Sequence, residues 1–248
     1  MKKLLDFGKA QHLLETIRIE KVYPLSVAEG CQSGEVFADD TRTPSSVLYW
    51  HYCGFGFVAG RCDGEVQNWL HAMMQNPLEG HSGRLAIQTE DDGLFRDFQD
   101  VSRRERYVFG FEGSSGMPEI PAGCQIVPVT QRNYHDLKGR IVPDFSWRNS
   151  EEFLKNGFGY YLTRDDEVLA CAFSSAVSSE YVDIGVETGE KYRGKGYGKI
   201  VSAAMVEETL RQGKEPEWSC DVLNEGSMRL ACSVGFRVTG THPWYKIG

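Results

Sequence analysis

Residues 182–199 constrain this chain more than any other stretch. Val182, Ile184 and Val186 alternate as a strand would, and Gly194, Gly196 and Gly198 then lead into a segment with Ile200, Val201, Ala204, Val206 and Leu210 along one side. The spacing predicts a strand over Tyr181–Thr188, a glycine-rich loop, and a helix from about Gly198 to Gln212. Three glycines let the backbone curl with its N–H groups turned inward, and the helix adds its positive N-terminal end. That geometry holds a pyrophosphate. Lys191, Arg193, Lys195 and Lys199 concentrate positive charge there, although the chain as a whole carries 27 Lys and Arg against 35 Asp and Glu, a net charge of −8. Such a field repels a nucleic-acid backbone, so a small polyanionic ligand fits the loop and DNA or RNA does not.

The 248 residues are enough for one elaborate domain or two compact ones, and 41% hydrophobic with 25% charged residues is a globular composition. No run of about 18 apolar residues would cross a membrane. The opening Met1-Lys2-Lys3-Leu4-Leu5 is interrupted by Asp6, Lys9 and Gln11, which argues against an export signal. Seven cysteines without a C-x-x-C pair read as reduced thiols, and with them a cytoplasmic location is expected. The six histidines include no H-x-x-x-H pair, so no metal is expected.

Glycine, serine and proline gather over Glu112–Gly123, which marks a linker and a boundary near residue 120. Before it, residues 4–18 read as an amphipathic helix, 46–59 as strand, 65–75 as helix, a further helix follows Asp91-Asp92, and 106–111 is strand. After it, strands are expected at 124–129, 160–163, 168–175, 181–188 and 217–221, with helices at 151–156, 198–212 and 226–234 and a final extended segment. Asp165-Asp166 supplies a hairpin turn. This is an α+β, mixed-sheet pattern in residues 121–248 beside an α/β domain in residues 1–120.

The loop lacks the G-x-x-x-x-G-K-[ST] of a P-loop and the G-x-G-x-x-G of a dinucleotide site. Arg193-x-x-Gly196-x-Gly198 instead resembles the R/Q-x-x-G-x-G/A signature of the GNAT acetyltransferases. Asn224-Glu225-Gly226-Ser227-Met228-Arg229-Leu230-Ala231-Cys232-Ser233-Val234-Gly235-Phe236 resembles that superfamily's N-x-x-A/S-x-x-L-Y-x-K-x-G-F helix, and both occur in the expected order. The resemblance covers residues 124–248. It implies the acyl-CoA N-acyltransferase fold, acetyl-CoA as co-substrate, and direct transfer of an acetyl group to the primary amine of a small molecule. Carried onto this chain, Val186 and Thr188 meet the pantetheine arm, Arg193, Gly194, Lys195, Gly196, Tyr197, Gly198 and Lys199 hold the phosphates, and Asn224 and Ser227 take cofactor-side positions. Residues 1–120 would then shape the acceptor cleft, as a degenerate copy of the same fold or as an unrelated domain.

Where many relatives place a tyrosine acid, this chain has Ala231; Trp218-Ser219-Cys220 with Leu230-Ala231 is similar to a subgroup that includes zwittermicin-type self-resistance acetyltransferases. An attacking amine must lose a proton, so a carboxylate is wanted near the strand. Asp183 and Glu187 lie four apart and on one strand face, and Glu187, between Val186 and Thr188, is nearer the expected thioester. Surface roles for both acids stay open. So does an alternative in which the chain is a non-catalytic acyl-CoA-binding or regulatory module. Gly54-x-Gly56-x-x-Ala59 matches a dinucleotide fingerprint, but aromatics fill its variable positions and no helix is expected to follow it directly. His242, beside Pro243 and Trp244, could line an acceptor cleft or be a structural, partly buried histidine.

Overall fold

A computed structural model describes residues 1–15, 17–77 and 84–248. The first half contains β1 (Lys2–Lys3), a 3-10 turn (Phe7–Ala10), α1 (Gln11–Leu14), α2 (Val22–Ala28), β2 (Gly34–Ala38), β3 (Ser46–His51), β4 (Phe55–Gly60), α3 (Gly64–Gln75), β5 (Ala86–Gln88) and β6 (Val101–Phe111). The second contains β7 (Cys124–Pro128), α4 (Ser150–Asn156), β8 (Gly159–Arg164), β9 (Glu167–Val177), β10 (Tyr181–Thr188), α5 (Tyr197–Arg211), β11 (Glu215–Glu217), β12 (Ser219–Asp221), α6 (Glu225–Ser233) and β13 (Phe236–Ile247).

The strands form two mixed sheets, ordered β1-β2-β3-β4-β5-β13-β6-β12 and β11-β10-β9-β8-β7. In each half two antiparallel pairings lead to a helix and then to a parallel neighbour: β2-β3-β4 then α3 and β5, and β8-β9-β10 then α5 and β11. The two halves of the chain are tied together within the first sheet, because β13 runs antiparallel to β6 from Phe236↔Phe111 to Ile247↔Val101 while β5 pairs β13 and β12 pairs β6. The first sheet therefore takes two of its strands from beyond the segment 112–123. That segment carries neither helix nor strand, and Ser114 and Ser115 hydroxyls donate to Glu207 and to the Ser233 carbonyl.

Several elements match the sequence pattern closely. β10 spans the expected residues, and α5 buries Ile200, Val201, Met205 and Val206 against β8, β9 and β10. Asp165 and Asp166, at φ +48° and +63°, make the tight turn between β8 and β9. Other expectations are corrected. The helix over 4–18 is broken into a 3-10 turn and four-residue α1, because Leu4 N–H donates to Val36 O at 2.8 Å, which draws the start of the chain along β2. No helix follows Asp92; residues 92–97 are turns whose Leu94 and Phe95 are pinned in a core with Ile87 and Tyr245. Residues 46–59 are two strands of a hairpin, and residues 217–221 break at Trp218 between β11 and β12.

Candidate active site

The break at Trp218 creates the site. β10 and β11 pair in parallel only from Tyr181↔Glu215 to Asp183↔Glu217, after which the chain turns away and β12 joins β6 in the other sheet. Beyond Asp183, β10 keeps a partner on one side alone, among the described residues. Gly189 N–H donates to Leu169 O at 3.0 Å, and the twofold alternation of an antiparallel ladder then turns the N–H groups of Gly185 and Glu187 toward β9. Those of Ile184, Val186 and Thr188 face the opening. The splayed strands enclose a cleft of about 1390 Å³, lined on one wall by β10 and the loop before α5 and on the other by residues of the first half.

Gly194 and Gly196 sit at φ +75° and +80°, in the left-handed region, and a Cβ at either would meet nothing within 4 Å. They are needed for their backbone angles rather than for space. Gly196 is the N-cap of α5 and so offers no side chain to the helix end, whose Tyr197 and Gly198 N–H groups have no intrahelical acceptor. At Gly198 the reason is space, because a Cβ would stand 3.0 Å from Thr188 Oγ1. The basic residues are less uniform than their spacing suggests. Lys199 and Arg193 line the cleft, but the Arg193 guanidinium turns back to Glu187 Oε1 at 3.3 Å and Thr188 O at 3.4 Å. Lys191 pairs with Glu167, and Lys195 lies 5.4 Å over the Tyr192 ring. Tyr197 packs in the core and its hydroxyl accepts from Arg164, so only its backbone faces the loop.

Asn224 and Ser227 reach the cleft wall with their side-chain oxygens already engaged within the protein. Asn224 Oδ1 caps α6 by accepting from Ser227 N–H at 3.1 Å, and Ser227 Oγ accepts from Trp218 Nε1 at 3.0 Å, which holds the strand break in place. Ala231 is buried, and no tyrosine stands at its position. Tyr245, a tyrosine near that helix in sequence, donates to the carbonyls of Asp91 and Asp92 in the other core.

The two carboxylates of β10 have different surroundings. Glu187 Oε2 accepts from the backbone N–H groups of Arg140 and Ile141, each at 3.1 Å, and its side chain packs on Gly139, where a Cβ would collide at 2.5 Å. Glu187 thus ties down the segment 139–141. Asp183 is buried at the base of the cleft and accepts from Tyr23 Oη at 3.0 Å and from Ser175 Oγ. Ser175 is the residue that the β9–β10 register skips, and the irregularity aims its hydroxyl at Asp183. Burial pushes the Asp183 carboxyl up; the Ser175 and Tyr23 hydrogen bonds and Arg106 pull it partly back, and it titrates at about 6.

Beneath Asp183 lies a buried group of charges from both halves. Arg106 Nε donates to Glu20 Oε1 at 2.8 Å, and His242 Nε2 is 3.1 Å from the same oxygen. His242 is a buried structural histidine. Burial alone would raise the Glu20 carboxyl, but Arg106 and His242 outweigh it and hold it at about 2. Burial, reinforced by the charge of Asp183, lifts Glu217 to about 8. Cys220, on β12 in the cleft wall, has its thiol raised by burial. Tyr23, Ser175, Glu20 and Arg106 were not singled out from the sequence; Tyr23 and Asp183 are 160 residues apart, and no local motif records such a pair. Gly54 and Gly56 belong to the turn and strand of a hairpin, with α3 starting only after Asp63.

A model of the GNAT acetyltransferases matches residues 11–245. The chain belongs to the GNAT acetyltransferase family. It is 21% identical, over 95% of each chain, to an uncharacterized N-acetyltransferase of Bacillus subtilis (strain 168), YdfB. A GCN5-related N-acetyltransferase-like protein from Streptococcus suis 89/1591 shares the fold, with a TM-score of 0.77, 21% identity, and coverage of 97% of this chain and 98% of that one. A tandem GNAT protein from the clavulanic acid biosynthesis pathway aligns with a TM-score of 0.59 and 11% identity over 97% and 94%. The GNAT match extends through the first half, where no motif had pointed to it. Among the described residues no group of His, Cys, Asp and Glu could hold a metal ion, and no helix is long and apolar enough to cross a membrane.

Proposed function

We propose that this GNAT protein transfers the acetyl group of acetyl-CoA directly to a primary amine of a small molecule. The observation that carries the reading is the unpaired edge of β10 running into a left-handed glycine loop whose helix N-cap has no side chain. Backbone donors left open along a strand suit the amide-rich pantetheine arm, and an uncapped helix end suits a pyrophosphate. Ile184, Val186 and Thr188 line the arm, while Gly194, Gly196, the N–H groups of Tyr197 and Gly198, and Lys199 face the phosphates, with Lys195 and Arg193 adding positive charge beside the loop. Asn224 and Ser227 act by fixing α6 and Trp218. Acetyl-CoA supplies an activated thioester, and everything else the reaction requires is positioning and proton handling.

For the proton, Asp183 is the base and Glu187 the group that orders the segment over the cleft. A carboxyl at about 6 is ionised at neutral pH and still basic enough to take a proton from an ammonium held against it. Tyr23 and Ser175 orient it. In this reading residues 1–120 are a degenerate copy of the fold formed by residues 121–248, turned to shaping the acceptor side. The Leu230-Ala231 pair is consistent with the subgroup that includes zwittermicin-type self-resistance enzymes, and seven free cysteines suit a cytoplasmic, reducing setting.

Two measurements test it. CoA bound by the native state alone raises stability by about 2.7 kcal/mol at a hundredfold excess over Kd, which a melting curve registers; an unchanged curve at millimolar CoA removes the cofactor assignment. Thiol release from acetyl-CoA over a panel of amines then separates the enzyme from a non-catalytic acyl-CoA-binding module, the reading that Ala231 favours. Binding without amine-dependent thiol release would establish the module.

A further inference from the structure

We propose that the acceptor is an anionic amine: a primary amine whose molecule also carries a carboxylate or phosphate, separated from the nitrogen by an apolar or aromatic body. This rests on the acetyltransferase reading and names the substrate class it would take.

The argument is the charge of the cleft's acceptor side. Although the chain has a net charge of −8, Arg84, Arg104, Arg106, Arg140 and Lys246 line this side, against the acids Asp183, Asp221 and Glu187, the last of which is paired with Arg193 at 3.3 Å. Arg106 is neutralised by Glu20 at 2.8 Å and Arg104 by Asp221 at 2.9 Å. Arg84, Arg140 and Lys246 have no acidic partner among the described residues. A site for a polyamine or another polycation would show the opposite sign, with carboxylates to spare, because each extra ammonium must be paired or stay solvated.

Arg84 is also placed to recognise an anion at a distance from the reacting nitrogen. Its Nε donates to Cys53 O at 3.1 Å, and its guanidinium lies 5.7 Å from the Phe55 ring and 5.6 Å from the Phe145 ring. Both contacts leave the terminal nitrogens available for a two-pronged bond to a carboxylate or phosphate. Phe55 stands edge-on to Tyr23, 5.4 Å between centroids, and the Tyr23 hydroxyl holds Asp183. From the base to the free guanidinium the wall is therefore aromatic. An acceptor matching that order has its amine at Asp183, an apolar middle along Phe55 and Phe145, and its anion at Arg84. Arg140, whose backbone is held by Glu187, adds a second positive charge to this wall.

The test uses the full chain with acetyl-CoA and matched acceptors that keep the amine and differ in charge: glycyl-phenylalanine against its C-terminal amide, 6-aminohexanoate against its amide, spermidine, and an aminoglycoside. The acids are expected to exceed their amides at least tenfold in kcat/KM, with most of the difference in KM, and the preference should shrink with added salt. Arg84→Gln should bring the acid-to-amide ratio below threefold, and Arg84→Lys should restore part of it. Calorimetric titration of the CoA complex with each acceptor reads the same preference without turnover. Amides used as well as acids, or polycations preferred, would overturn the acceptor class and leave the acetyltransferase intact. Neither binding nor acetylation of any of these amines would overturn both.

Discussion

The two halves follow the same path from strand to helix and end it in opposite ways. After β4 only Arg61-Cys62-Asp63 separate strand from helix, and Asp63 caps α3 by accepting from Val66 N–H at 3.2 Å. After β10 eight residues, Gly189 to Gly196, intervene, and the cap of α5 is a glycine. A carboxylate at a helix N-terminus satisfies the end itself and repels a phosphate, whereas a bare one leaves donors and a positive dipole for a ligand. The neighbouring strands differ likewise. β4 and β5 pair directly from Phe55↔Ala86 to Phe57↔Gln88, with Leu85 and Leu48 packed so close over Gly56 that a Cβ there would collide at 2.6 Å. β10 instead loses its parallel neighbour at Trp218 and opens. The same path from strand to helix therefore does not by itself leave a helix end bare beside an open strand edge; the cap residue, the loop length and one strand break decide it.

The largest expected effect tests whether the chemistry resides on β10. Asp183→Asn should lower kcat by about 10²- to 10⁴-fold with CoA affinity unchanged, and erase the limb on which kcat/KM rises through about pH 6. The sign follows from the role: the base works ionised, so activity is lost as pH falls through that value. A loss of less than threefold at saturating acceptor would return Asp183 to a structural part.

Next in size is the seam between the halves. Arg106→Leu leaves Glu20 charged and buried against His242 alone, which should cost about 3–5 kcal/mol in chemical denaturation. Pairing it with Glu20→Leu should recover much of that loss. An Arg106→Leu protein as stable as the parent would mean that this buried charge group does not hold the fold together at the seam.

A matched pair of substitutions then probes the two helix ends. Gly196→Asp forces a side chain into the left-handed region and sets a negative charge on the α5 terminus, so CoA affinity should fall about 10²-fold. Gly64→Asp, at the start of α3 where a Cβ meets nothing, should change it less than twofold. Equal losses by calorimetry would show that both termini serve the cofactor and break the contrast.

The smallest effect concerns Glu217. Its folded-state value of about 8 lies above the ordinary 4.5, so the folded protein keeps a proton that the unfolded chain has released between those limits. Stability should therefore decline as pH rises from about 4.5 to about 8. Glu217→Gln should flatten that decline in Tm, and an unaltered slope would mean that the carboxyl is already ionised at the base of the cleft.

The glycine loop of this protein and the strand before it were legible in sequence because their determinants are local. A left-handed turn needs glycine at Gly194 and Gly196, a helix end needs an unblocked cap, and alternation over Val182, Ile184 and Val186 specifies the strand; each depends on neighbours a few residues away. The second-half elements were readable for the same reason. In the first half local pattern failed: residues 4–18 look helical until Val36 competes for Leu4, and α2, with Pro24 in its first turn, has too little length to announce itself. The surroundings of the two β10 carboxylates were beyond any local reading. Asp183 and Glu187 are equivalent as letters on a strand, and what separates them is that one meets Tyr23 from another sheet's covering helix and the other meets the backbone of Arg140 and Ile141. The sequence by itself determined the left-handed glycine loop and the strand that feeds it. Tertiary structure decided which carboxyl is buried, which arginines are left unpaired, and where β10 loses its neighbour, because desolvation and charge pairing depend on chain segments brought together across more than a hundred residues.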